Sequence, residues 1–84
     1  MTTHELKILP KYFNEVKSGN KTFEIRKNDR GFKVGDAVIL KEWLIPGHFY
    51  SGREIKTIIK YIITDEDFEG IADGYCVFAI AEKP

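Results

Sequence analysis

Gly19-Asn20-Lys21-Thr22-Phe23-Glu24-Ile25-Arg26 brings a lysine, a glutamate and an arginine together within one turn and one short strand. The rest of the chain reads as scaffold around it. Alternation after the glycine is strict: Phe23 and Ile25 share one side, while Thr22, Glu24 and Arg26 share the other, the period-two pattern of a strand buried on one face. Hydrophobicity predicts that Phe23 and Ile25 point inward and the charged side chains outward. On such a strand Glu24 and Arg26 stand roughly 6–7 Å apart at Cβ, close enough for an ion pair or a joint grip on a ligand. Lys21 has the parity of the core residues and is assigned to the turn, from which its ammonium can swing to the same opening.

Upstream, His4 to Leu9 alternates as a first strand with Leu6 and Ile8 inward. Pro10 ends it and opens a helix to Ser18, with Tyr12, Phe13 and Val16 on the inner side; Gly19 supplies a left-handed stop. Downstream, Asn28-Asp29-Arg30-Gly31 and Val34-Gly35-Asp36 are turns by composition. Ala37 to Leu44 is a strand rich in branched residues that begins buried on both faces. Ile45 to Gly52 reads as an exposed loop carrying Phe49 and Tyr50. Arg53 to Thr64 is a long strand with Ile55, Thr57, Ile59, Tyr61 and Ile63 on one face, long enough to bend around a barrel. Asp65 to Gly74 is an acidic loop or short helix held by Phe68 and Ile71, and Tyr75 to Ala81 is a central apolar strand. Five short-spaced strands and one early helix predict a single α+β domain spanning 1–84: a small, partly closed barrel of mixed or antiparallel strands.

Composition narrows the partners. The 84 residues carry 13 basic and 13 acidic side chains, a net charge of zero, which removes the simplest route to long duplex nucleic acid. The charge is uneven: Lys17, Lys21, Arg26, Lys27, Arg30 and Lys33 crowd one segment, and Asp65, Glu66, Asp67, Glu69 and Asp73 another. Such a dipole is expected to orient an anion towards one end of the molecule. The single cysteine, Cys76, lies in an apolar run and reads as a buried, inert thiol. His4 and His48 lack partners at metal spacing, so no metal and no cofactor is assigned. The start has no apolar targeting region and the longest apolar run is too short for a bilayer, which predicts a cytoplasmic protein with no membrane partner.

Gly19-x-Lys21-x-x-Glu24-x-Arg26, after a short helix and before Gly35-Asp36 opening a hydrophobic strand, resembles the signature of the ASCH domain (activating signal cointegrator homology), a relative of the PUA RNA-binding domain. His4-x-Leu6-Lys7, Tyr12-Phe13, Phe32-Lys33-Val34-Gly35-Asp36 and Tyr50-Ser51-Gly52-Arg53 are similar to a small stand-alone group found in phages and bacterial mobile elements, of unassigned function. The resemblance implies a PUA-like β-barrel of five or six strands with an N-terminal helix, and a cleft beside the Lys-Glu-Arg motif that contacts RNA or a nucleotide. Some similar proteins are amidohydrolases of acylated cytidine, with a lysine where Lys21 stands and a threonine nucleophile where Glu24 stands. A glutamate does not replace that hydroxyl as an acyl acceptor. Other ASCH proteins are ribonucleases, which need a general acid and base instead.

The leading expectation is an RNA- or nucleotide-binding module. Lys21, Glu24 and Arg26 line its cleft, Arg26 gripping a phosphate or base edge and Glu24 either bracing Arg26 or accepting from an exocyclic amine. Lys27, Asn28, Arg30 and Arg53 extend the anion site, and Tyr50, with Phe49, offers a stacking surface. Trp43 and Tyr75 are assigned to packing. The bland alternative is a surface salt-bridge network at the helix–strand turn. If the protein is an enzyme, Lys21 and Glu24 are its catalytic candidates, Lys21 as base on an acylated nucleoside or a phosphodiester. A third reading is a phage–host adaptor using the acidic loop, with an unknown protein partner.

Overall fold

Alternation in β1 (Thr3–Ile8) sends His4, Leu6 and Ile8 inward and leaves Thr3, Glu5 and Lys7 exposed. Pro10 then starts the two-turn helix α1 (Pro10–Lys17), where its missing N–H costs nothing. Gly19, at φ 87°, makes the left-handed exit that a side chain resists. β2 (Phe23–Lys27), β3 (Ala37–Leu44), β4 (Phe49–Thr64) and β5 (Tyr75–Ile80) complete a mixed five-stranded sheet. This is a small α+β fold. The computed structural model describes residues 1–81, so positions 82–84 of the expected domain lie outside the described residues.

The strand order is β1-β3-β4-β5-β2, with β1 parallel to β3 and every other pair antiparallel. β4, not β5, is the middle strand. β1 and β2 form the two edges, so the expected barrel does not close through backbone pairing. Side chains span the seam instead. Arg26 Nη2 donates to the Lys7 carbonyl at 2.8 Å and Arg30 Nη1 to the Glu5 carbonyl at 3.0 Å, two alternate carbonyls on the edge of β1. Capping an open edge with arginines removes acceptors that another strand would otherwise seek.

Two predicted faces are corrected. In β2 the register sets Glu24 opposite Phe78 and Arg26 opposite Cys76, both fully buried, and sets Phe23 opposite Ala79. Glu24 therefore points inward, 3% exposed, while Phe23 and Ile25 are exposed on the outer face at 43% and 61%. In β4 a register shift between Ile59 and Tyr61 breaks the alternation. Ile55, Thr57 and Ile59 face in as expected, but beyond the shift Ile62 packs on the core and Tyr61 turns out.

Phe13, Val38, Leu40, Ile59, Cys76 and Phe78 are the innermost side chains. Phe32, from the loop before β3, fills the end of this core against His4 and Phe78, at ring-centroid distances of 4.6 and 5.0 Å. The strand β4 starts earlier than predicted, because the connection from β3 is only the turn 45–48, closed by His48 N–H donating to the Leu44 carbonyl at 3.0 Å. The acidic segment forms successive turns, with Phe68 65% exposed rather than packed as an anchor. Its carboxylates hold it instead: Thr64 N–H donates to Asp67 at 2.8 Å and Gly74 N–H to Asp65 at 2.7 Å. The segment also meets the basic turn, through Asn28 N–H donating to the Gly74 carbonyl at 2.8 Å. The two charged segments adjoin rather than standing at opposite ends of the molecule.

Candidate functional site

The inward turn of Glu24 builds the site. A carboxylate in a core needs partners for both oxygens, and the motif provides them. Lys21, on the turn leaving α1, donates to Glu24 Oε2, while Arg26, two residues along the strand, donates from Nε and Nη2 to Oε1 at 3.0 and 2.8 Å. The strand brings Glu24 and Arg26 to one face because they are two apart; Lys21 reaches it because Gly19 and Asn20 reverse the chain. Lys21 Nζ also donates to the Phe23 carbonyl at 2.8 Å.

Two cations on one buried carboxylate leave a single positive charge and a countable remainder of donors. Lys21 has three N–H groups and spends two. Arg26 has five and spends Nε–H and both on Nη2, the second on Lys7, which leaves Nη1 without a partner among the described residues. These unspent donors border a hollow of about 610 Å³ between the end of β1, the start of α1 and β2. Its apolar and aromatic lining is Ile8, Leu9, Tyr12, Phe23 and Ile25, with Lys7, Glu15 and Asn20 beside them. The Lys21 ammonium lies between two half-exposed rings, 5.8 Å from the Tyr12 centroid and 5.2 Å from that of Phe23.

The other predicted site residues disperse. Arg30 is bound to β1 at the seam and does not line the hollow. Asn28 is exposed, its backbone engaged with Gly74. Tyr50 packs edge-on against Trp43 at 4.8 Å on the β3–β4 hairpin, with Lys41 Nζ 4.8 Å from its ring, and Lys7 Nζ lies 4.0 Å over Trp43. Arg53 belongs to a second buried carboxylate. It holds Glu42 in a two-pronged pair, Nε to Oε1 at 3.0 Å and Nη2 to Oε2 at 2.9 Å, and Nη2 also donates to Asn14 at 3.1 Å. Arg53, with help from Ser51, holds the Glu42 carboxyl down from the usual 4.5 to about 2, and Glu42 in return raises the Arg53 guanidinium.

Sequence reasoning missed Glu42, Tyr12 and Phe23. Glu42 shares the parity of Val38 and Leu40, a signal that β3 carries it inward. Tyr12 and Phe23 were assigned to the core, and both stand at the hollow instead. His4 is buried and paired: its Nε2 lies 2.8 Å from Asp36 Oδ2, and Asp36 also accepts from the Thr2 and Lys33 amides. The histidine contact, followed by those amides, holds the Asp36 carboxyl below its ordinary value. This knot ties the chain start to the Gly35 turn and is structural. Burial pushes the Cys76 thiol up, with Asp29 adding to it. Among the described residues no helix is long and apolar enough to cross a membrane.

A family model described as "Domain of unknown function (DUF3850)" matches residues 3–80, which includes every strand and the motif. The chain is also 45% identical over 56 residues to a protein of Escherichia phage P2 described as "Uncharacterized 12.9 kDa protein in GpA 3'region". That alignment covers 67% of this chain and 50% of the phage protein, so the chain spans about half the length of the relative it matches.

Proposed function

The chain belongs to the DUF3850 family, and from that premise we propose that it is an RNA- or nucleotide-binding module whose ligand enters the hollow beside Lys21, Glu24 and Arg26. One observation carries the proposal: the motif converges on a concave, partly apolar opening with unspent N–H donors and one excess positive charge. A hollow lined by Lys21 and Arg26 together with Tyr12 and Phe23 suits a planar, acceptor-rich base or a phosphate with its base stacked. The resemblance of the motif to that of ASCH and PUA-like domains supports the same reading.

Glu24 is the brace in this arrangement. Both its oxygens are engaged and it is nearly buried, so it holds Lys21 and Arg26 in place rather than reading an exocyclic amine. The contacts of Lys21 are those of a donor to two acceptors, which favours binding over the alternative in which it acts as a base. Titrating the full chain with the nucleoside 5′-monophosphates by isothermal calorimetry tests the proposal. Arg26→Ala should weaken binding about tenfold, the worth of one charge-assisted contact, and raising salt should weaken it with a logarithmic slope of about −1, since few phosphates are met. Equal affinity for the parent and Arg26→Ala would place the ligand elsewhere.

A further inference from the structure

Lys21 borders a second hollow as well as the first. This one has about 570 Å³ and opens on the other side of the Gly19–Thr22 turn, between the end of α1 and β4. Its apolar lining includes Phe13, Ile55 and Ile80, and its rim carries Lys17, Lys21 and Arg53 against Glu54. Arg53 is rigid here. Its guanidinium carbon lies 4.5 Å from the Phe13 ring centroid, and Glu42 and Asn14 fix the plane, leaving the two N–H groups of Nη1 unspent among the described residues. A fixed guanidinium plane beside an apolar floor is a surface on which a nucleobase stacks.

We propose that the two hollows hold two successive nucleotides of one single strand, with the linking phosphate crossing the Lys21–Thr22 ridge. The inference rests on the nucleotide reading of the first hollow and extends it to a class of ligand: single-stranded RNA of at least two nucleotides, rather than a free nucleoside. Three features carry it. Both hollows are partly apolar and carry more basic than acidic side chains, Lys7, Lys21 and Arg26 against Glu15 and Glu24 in the first, and Lys17, Lys21 and Arg53 against Glu54 in the second. One cation is common to them. The ridge between them is an exposed turn with Lys17 at its side, where a phosphate meets positive charge without being buried.

Calorimetric titration of the full chain with nucleoside 5′-monophosphates, the matching dinucleotides and trinucleotides tests this. The dinucleotide should bind about tenfold tighter than the mononucleotide, the effect of one added stacked base and one phosphate, and the third nucleotide should add less than about threefold. Lys17→Glu, on an exposed position of the second rim, and Ile55→Trp, which fills the second hollow, should each erase the step while leaving mononucleotide affinity within about twofold. A parent protein without the step, or a step that survives both substitutions, overturns the two-nucleotide inference and leaves the one-nucleotide reading standing. Failure of every length to bind overturns both.

Discussion

The fold buries two glutamates and treats them differently. Glu42 meets one arginine, Arg53, in a two-pronged pair over Phe13, so the two charges balance and the pair acts as a clasp between β3, β4 and α1. Glu24 meets two cations, Lys21 and Arg26, at the edge of the sheet, where a hollow opens. The surplus is what matters. A buried carboxylate with one partner leaves no net charge, whereas one with two partners holds both cations oriented and keeps one positive charge over, which is preorganisation for an acceptor.

The sharpest break in the comparison comes from removing the floor of the clasp. Phe13→Ala should cost about 3–5 kcal/mol in urea unfolding, because Phe13 is the buried anchor of α1 and also lies under Arg53. A domain of this size has little more than that to lose. A loss below about 1 kcal/mol would mean that the helix is not anchored there.

Next comes Glu24→Gln. It leaves Lys21 and Arg26 facing each other without the carboxylate between them, and should cost about 2 kcal/mol, discounted from the loss expected at a fully buried pair because both cations are partly exposed. The same substitution should weaken nucleotide binding, since the donors lose their brace. Unchanged stability and unchanged affinity together would show that the brace does nothing.

Acid tests the Glu42 clasp. Glu42 is held at about 2 in the fold against an ordinary 4.5, so its ionised form contributes stability above pH 4.5, and that contribution disappears as pH falls towards 2. The urea midpoint should drop across this window, and Glu42→Gln should flatten the drop. Asp36, also lowered by its contact with His4, leaves a residual slope on the same acid side. A Glu42→Gln profile parallel to that of the parent would remove Arg53 as the cause.

The smallest contrast lies within the seam. Arg26→Ala should lose about tenfold in nucleotide affinity, while Arg30→Ala, which bonds the same strand but does not line the hollow, should lose less than about twofold. Comparable losses would make the two arginines one electrostatic patch rather than a site and a strap.

Much of this was legible in the residues, and the rest failed for identifiable reasons. Pro10, Gly19 and Gly35 punctuate the chain where composition says they should, so the order of the elements and the strands β3 and β5 follow from it. Period two also identified which side chains of β2 share a face. It carries no information on which face is inside. The usual rule, apolar inward, failed at Phe23 and Ile25 because Lys21 and Arg26 satisfy the buried Glu24 carboxylate, which offsets the cost of exposing those two apolar side chains. The convergence of Lys21, Glu24 and Arg26 was legible from spacing alone. The dispersal of Arg30, Tyr50 and Arg53 was not, because it depends on the cross-strand pairing of β3 with β4 and on which edge β1 leaves open. Neither is a local property of sequence.

The most direct test of the central claim is an amide chemical-shift map of the isotope-labelled full chain titrated with a nucleoside 5′-monophosphate. The account predicts the largest changes at Lys7–Tyr12 and Lys21–Arg26, the borders of the first hollow, with Trp43, Tyr50 and Glu42 still. Changes concentrated on the β3–β4 hairpin, with Lys21–Arg26 unmoved, would contradict it.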